Sequence, residues 1–257
     1  MPFSRLPDPS PGWIDALEIP AWLYERPFAH RGLHDKAAGV EENSPAAFRA
    51  AISEGYGIEL DVQLSADGVA MVFHDGDLRR LAGREGHVRD LSSGELAAVP
   101  LTVGGEHIPA LRDVLALVAG RVPILIEIKS RPGATGPFEA AVARDVADYN
   151  GPFAVMSFNP ESVAWFRERR PRFIRGLVAS LRYRRELGFR LTTQRGQVQA
   201  LDRTAPHFVA YDIRCLPNDF TRACRAQGLP LLTWTVRSDA ERKRAEQNAD
   251  NIIFEKS

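Results

Sequence analysis

Short apolar, β-branched runs alternate with amphipathic stretches along most of the chain. Their spacing predicts eight strands: Phe28 to Arg31, Ile58 to Gln63, Ile124 to Lys129, Phe153 to Ser157, Ile174 to Val178, Phe208 to Asp212, Leu231 to Val236 and Ile252 to Phe254. Between them, helix-like patterns run over Ser44 to Glu54, Leu111 to Val118, Phe138 to Asp148, Pro160 to Glu168, Asp219 to Gln227 and Asp239 to Gln247. Several of these open on Ser, Asp or Pro, residues that either bond the free amides of a first helical turn or have none to satisfy. Eight strands with intervening helices in about 250 residues imply an α/β protein of the (β/α)8 TIM-barrel type, whose reactive groups sit at the C-terminal strand ends. A doubly wound open sheet is the structural alternative.

One segment breaks the alternation. Val69 to Phe73 reads as a further strand after the Ala66-Asp67-Gly68 turn, too close to Gln63 for a parallel crossover, so it should pair antiparallel with the strand before it. The stretch from Asp75 to Pro109 is polar and contains glycines, and is expected to form a small excursion over the barrel mouth. Residues 1–257 therefore read as a single barrel domain with an insertion at about 75–109, after the second strand.

Composition narrows the partners. Lys plus Arg (33) equals Asp plus Glu (33), so no global field draws the chain to nucleic acid or to an anionic membrane. Cys215 and Cys224 form neither a disulfide framework nor a closely spaced metal pair, which fits a reducing compartment. No run approaches the roughly 20 apolar residues that span a bilayer. The start carries Pro2, Pro7, Asp8 and Pro9 in place of a basic and then apolar leader. A cytoplasmic protein without stable membrane insertion is expected; the sequence assigns it no oligomeric state.

The chemistry lies on the strands. In Ile58-Glu59-Leu60-Asp61-Val62 the two acids share one face and the apolar residues the other, and Ile126-Glu127-Ile128-Lys129 repeats the pattern. If the apolar faces pack under helices, four charges point into the lumen near its rim. Three carboxylates against one ammonium raise one another's pKa values unless a cation neutralises them. An all-carboxylate set suits Mg²⁺ or Ca²⁺ better than Zn²⁺. His30 and His74 stand where strands meet loops and can pair as general acid and base. Arg31 offers a bidentate phosphate clamp and Lys129 a point charge. His34 lies close to His30 and, with His87, His107 and His207, is expected to be structural or solvated. There is no Gly-rich phosphate loop, zinc-protease helix or Gly-x-Ser-x-Gly elbow.

His30-Arg31-Gly32, Glu42-Asn43-Ser44, Glu59-Leu60-Asp61-Val62, Asp67-Gly68 with His74-Asp75, Ile108-Pro109-Ala110-Leu111, Glu127-Ile128-Lys129, Ser157-Phe158 and Trp234-Thr235-Val236 occur in an order that resembles the glycerophosphodiester phosphodiesterase family. The resemblance implies a barrel enzyme that hydrolyses a small-molecule glycerophosphodiester to glycerol phosphate and an alcohol, with one divalent cation. It implies Glu59, Asp61 and Glu127 as metal ligands, His30 and His74 as the acid and base pair, and Arg31 and Lys129 as phosphate contacts. Trp234 is a candidate wall for the substrate glycerol. Ser157 and Asp212, at strand ends, have weaker claims. The chain departs from the family pattern in three places. Glu41 replaces a Pro and Arg237 an Asn, and the last strand runs Asp250-Asn251-Ile252-Ile253-Phe254-Glu255 in place of Asp-Gly-Ile-x-Thr-Asp. The last two changes fall where substrate contacts are expected and bear on substrate identity.

Three other readings use the same residues. One is a lysophospholipase D-type phosphodiesterase on the same site. Another is a barrel lyase or aldolase with Lys129 as amine nucleophile. The third is a non-catalytic binder of phospholipid head groups that lies on a membrane through Trp13, Ile14, Leu17, Ile19, Trp22 and Leu23. Pro20 interrupts that last segment, whose plainer role is a lid over the barrel bottom.

Overall fold

The computed structural model describes residues 18–131, 133–182 and 191–256. Among these residues nine strands are present: β1 (Phe28–His30), β2 (Gly57–Leu64), β3 (Ala70–Val72), β4 (Ile124–Ile128), β5 (Phe153–Ser157), β6 (Ile174–Ala179), β7 (Phe208–Asp212), β8 (Leu231–Val236) and β9 (Asn251–Phe254). Eight of them are parallel and run β1-β2-β4-β5-β6-β7-β8-β9, with β9 pairing back onto β1, so the sheet closes into a (β/α)8 barrel. The extra strand, β3, pairs antiparallel with β2 through Val62 and Val72, as the short turn at 66–68 requires.

Strand alternation sorts the apolar residues into two cores. Outward-facing Ile58, Leu60, Val62, Ile124, Ile126 and Ile128 join Phe48, Leu111, Val114, Val142 and Phe166 of the surrounding helices in one buried cluster. Inward-facing Phe28, Leu125, Ala154, Met156, Val178, Phe208, Ala210 and Leu232 form a second cluster that fills the lumen. Two glycines make this filling possible. A Cβ at Gly57 would lie 2.5 Å from the Phe28 ring, and one at Gly176 would lie 2.3 Å from Phe208. At the N-terminal end of the barrel, Leu23 of α1 (Trp22–Glu25) belongs to the lumen cluster, and Ile19 and Trp22 pack against it. Trp13, Ile14 and Leu17 lie outside the described residues.

The longer helices are α2 (Pro45–Ser53), α5 (Leu111–Val118), α6 (Pro137–Asp145), α7 (Pro160–Arg169), α8 (Gln194–Thr204), α9 (Asp219–Ala226) and α10 (Asp239–Asn248). Ser44 caps α2 by accepting the Ala47 amide at 3.1 Å, with Pro45 in the first turn. The sequence reading had no helix at α8. Its residues carry Gly196 near the start and only Val198, Ala200 and Leu201 as apolar positions, so few apolar residues mark it as a helix. Between β3 and α5 lie two further short helices, α3 (Arg79–Ala82) and α4 (Ser93–Ala97). Leu78, Leu81, Val88, Leu96, Val99 and Ile108 of this segment form a third apolar cluster with Met71 and Phe73. Among the described residues, no helix is long and apolar enough to cross a membrane.

Candidate active site

The parallel register of β2 and β4 places Asp61 directly opposite Glu127, and that of β1 and β2 places His30 opposite Glu59. Glu59, Asp61 and Glu127 each bring a carboxylate oxygen within 4.8 Å of the others. All three are buried, Glu59 and Asp61 to 1% exposure. Two cations reach them. Lys129 Nζ lies 2.8 Å from Asp61 Oδ1 and 2.5 Å from Glu127 Oε1, and Arg31 Nε lies 3.2 Å from Asp61 Oδ2. The Arg31 amide, turned by a left-handed backbone (φ 56°), donates to Glu59 Oε2 at 3.0 Å. Asn43 holds Asp61 from both ends, donating through Nδ2 to Oδ2 (2.9 Å) and accepting the Asp61 amide at Oδ1 (3.2 Å).

Burial pushes the Glu59 carboxyl well above its ordinary range, and the charges of Asp61 and Glu127 push it further. Burial acts the same way on Asp61, but Lys129, His74 and Arg31 overcome it and hold Asp61 ionised. The raised Glu59 means that the cluster resists carrying all three negative charges at once. A hard divalent cation satisfies the same excess of negative charge, and three carboxylates supply the oxygen donors it prefers. The residues present fit such an ion.

His30 and His74 flank the cluster in matching surroundings. His30 Nδ1 lies 2.6 Å from Glu255 Oε1, and Arg237 grips that carboxylate through Nε (2.6 Å) and Nη2 (2.7 Å). His74 Nδ1 lies 2.6 Å from Asp75 Oδ1, and Arg80 grips that carboxylate through Nε (2.7 Å) and Nη2 (3.0 Å). Arg80 also spans to Glu42 at 2.7 and 2.9 Å, and Glu42 accepts from Arg31 Nη1 at 2.6 Å. Burial pulls the His30 imidazole down to about 4 against the opposing bond to Glu255. Glu255 and Asp75 are both partly buried, which favours their protonated forms. Their histidine and arginine partners overcome this and hold them far below the usual carboxylate range. His30 is thus neutral at neutral pH, with Nδ1–H donated to Glu255 and the Nε2 lone pair open, 4.0 Å from Glu59 Oε2.

A cavity of about 500 Å³ opens onto these groups. His30, Arg31, Glu59, His74, Glu127 and Lys129 line its charged side, and Met156, Phe158, Val178, Trp234 and Ile253 its apolar side. Trp234 meets Phe158 edge to face, with ring centroids 5.5 Å apart. Such a cavity accommodates an anionic group beside a carbon skeleton.

Every candidate from the main set, namely His30, His74, Glu59, Asp61, Glu127, Arg31, Lys129 and Trp234, falls in or beside this cavity. Ser157 instead donates to the Ile128 carbonyl at 2.7 Å, and Asp212 is gripped by Arg214. His34, His87, His107 and His207 are absent from the lining. His207 sits at the foot of β7, where its Nδ1 accepts the Arg175 amide at 3.3 Å. Arg237 lines the cavity but is committed to Glu255, so these two departures form one unit attached to His30. The sequence reading assigned no role to Asn43, Glu42, Asp75 or Arg80. The first three lay within quoted motifs, and Arg80 had no signal beyond following His74-Asp75 by a few residues.

Residues 30–255 match the profile of the glycerophosphoryl diester phosphodiesterase family. A glycerophosphodiester phosphodiesterase of Caldanaerobacter subterraneus subsp. tengcongensis is 30% identical over 240 residues, spanning 88% of this chain and 91% of its own. Among solved structures, an Oleispira antarctica phosphodiesterase in complex with the product sn-glycerol-3-phosphate superposes with a TM-score of 0.76 at 21% identity, over 90% of this chain and 93% of that one. A Thermotoga maritima glycerophosphodiester phosphodiesterase superposes with a TM-score of 0.71 at 24% identity, over 90% and 94% of the two chains.

Proposed function

The chain belongs to the glycerophosphoryl diester phosphodiesterase family, and on that premise we propose a specific chemistry for its cavity. The substrate is a glycerophosphodiester, cleaved to glycerol phosphate and an alcohol. Glu59, Asp61 and Glu127 hold one divalent cation, Mg²⁺ or Ca²⁺, and His30 and His74 act as the acid and base pair. The observation that carries the reading is the buried, all-oxygen triad flanked by two histidines whose Nδ1 atoms are engaged by carboxylates.

When bound, the cation neutralises the triad and adds positive charge beside the phosphoryl oxygens. Arg31 and Lys129 add fixed positive charge on the same side, which favours the charge that develops on those oxygens as the bond breaks. One histidine accepts the proton of the attacking hydroxyl at Nε2, and the other donates a proton from Nε2 to the departing alkoxide, so the proton count balances over the reaction. Trp234, Phe158 and Met156 offer the glycerol carbons an apolar wall that excludes water from one side. The same wall suits an acylated glycerol, which supports a lysophospholipase D-type activity as the second reading. Lys129 argues against the aldolase reading. Although burial works to lower its pKa, Asp61 and Glu127 raise it and keep it an ammonium. Cys215 and Cys224 are free thiols, which supports a reducing, cytoplasmic setting.

The test is a panel of glycerophosphocholine, glycerophosphoethanolamine and lysophosphatidylcholine assayed with Mg²⁺, Ca²⁺ or Mn²⁺, for the wild type and Asp61→Asn. Turnover that requires the metal and disappears in Asp61→Asn is expected. Full activity in chelator-treated enzyme would overturn the metal assignment. Borohydride trapping of a carbonyl substrate on Lys129 would overturn the phosphodiesterase chemistry.

A further inference from the structure

The two histidines carry the same three-part arrangement, assembled from separate parts of the chain. On one side stand His30 at the end of β1, Glu255 just after β9 and Arg237 just after β8. On the other stand His74 and Asp75 after β3, with Arg80 from α3. In each, the carboxylate lies 2.6 Å from the ring Nδ1, and one guanidinium takes both of its oxygens. A carboxylate held at one point can rotate and slide along an imidazole edge. The planar guanidinium fork fixes its plane and position through two N–H bonds. A carboxylate so fixed at Nδ1 permits only ring forms with the proton on Nδ1, and directs Nε2 the other way.

We propose that Arg80 and Arg237 are positioning residues for phosphodiester cleavage, each locking the carboxylate that receives Nδ1–H so that both histidines turn Nε2 to the substrate. The proposal rests on the acid and base roles given above to His30 and His74. It explains why the departures at 237 and 255 occur together: a glutamate reaching His30 from position 255 is steadied by a guanidinium from position 237. It also gives the segment between β3 and α5 a part in the reaction. That segment's own apolar cluster anchors Leu78 and Leu81 on either side of Arg80. Arg80 in turn reaches both Asp75 and the Glu42 that holds Arg31.

The experiment uses the full-length, Mg²⁺-loaded protein and the variants Arg80→Gln, Arg80→Lys, Arg237→Gln and Arg237→Lys. Steady-state kinetics on glycerophosphocholine are combined with ¹⁵N–¹H correlation spectra of the imidazole nitrogens. In the wild type both rings should carry the proton on Nδ1. The Gln variants should show mixed tautomers at the corresponding ring and lose about 10-fold to 100-fold in kcat with little change in KM. The Lys variants keep the charge but not the fork and should recover part of that loss. Three results would overturn the proposal: an Nε2–H, Nδ1-bare ring at either position in the wild type, Gln variants with wild-type kcat, or variants whose defect lies in KM alone, which would make the arginines substrate contacts. Should a Gln variant not fold, the Lys variant and the wild-type spectrum still decide. His30→Gln and His74→Gln test the underlying reading separately. Full activity in both would remove the catalytic roles even if the wild-type tautomers were as expected.

Discussion

Replacing Glu59 by Gln removes the carboxyl that burial and its neighbours drive well above the ordinary range, while keeping its size. In chelator-treated wild type, folded Glu59 holds a proton that the unfolded chain releases near its ordinary value of 4.5. The stability tied to that proton is complete below the unfolded value and is lost as pH climbs toward the raised folded value. Each unit of separation amounts to about 1.4 kcal/mol, or roughly 3 to 6 °C in Tm for a chain of this size. Glutamine does not titrate, so the variant escapes this loss. Other groups act elsewhere or alike in both proteins. Burial depresses His30 and His207 to about 4, which makes stability rise with pH only up to the ordinary histidine range. Asp61, depressed by Lys129 despite its burial, acts below 3.8. Thermal melts in chelator at pH 5, 6.5 and 8 should therefore show Glu59→Gln more stable than wild type, by a margin that widens with pH. Excess Mg²⁺ or Ca²⁺ should shrink that margin, since occupancy at 100 times Kd stabilises the wild type by about 2.7 kcal/mol. A margin independent of pH, a variant less stable than wild type in chelator at pH 8, or equal stabilisation of both by metal would refute this reasoning.

Other expectations concern single sites. His74→Asn should lower kcat by ~10² or more while the metal-induced rise in Tm persists, because His74 is outside the triad. Gly57→Ala puts a Cβ 2.5 Å from Phe28 Cδ1 and should cost about 1–3 kcal/mol. Adding Phe28→Leu should recover part of that cost, and an unchanged melting curve for Gly57→Ala alone would show that the lumen is loosely packed. Trp234→Ala should raise KM for glycerophosphodiesters about tenfold, the equivalent of about 1.4 kcal/mol of lost ring contact. A KM within experimental error of wild type would place the glycerol elsewhere.

The barrel was legible because a strand's period of two is strict. Once Ile58, Leu60 and Val62 face the helices, Glu59 and Asp61 must face the lumen. The same rule recovered Glu127 and Lys129, and strand-to-loop positions recovered His30 and His74. What the pattern cannot express is register between strands and pairing over long separations. Asp61 meets Glu127 only because β2 and β4 are neighbours at that offset. Glu255 reaches His30 across 225 positions, and Arg80 reaches Glu42 across 38. Arg80 also lies in a segment whose local composition reads only as polar loop. For α8 the failure was local: its tertiary contacts, such as Tyr211 bonding Gln197 at 3.0 Å, support a helix whose few apolar residues and early Gly196 hide it in the sequence.

Beneath the cavity the lumen is closed by Phe28, Leu125 and Phe208, with Gly57 and Gly176 leaving room for the two rings. The cavity is therefore closed at its base. Among the described residues the cavity opens only at the strand C-termini, so in the proposed reaction substrate and products would pass there in turn. Whichever product leaves second occupies the seat of the next substrate and acts as a competitive inhibitor of it.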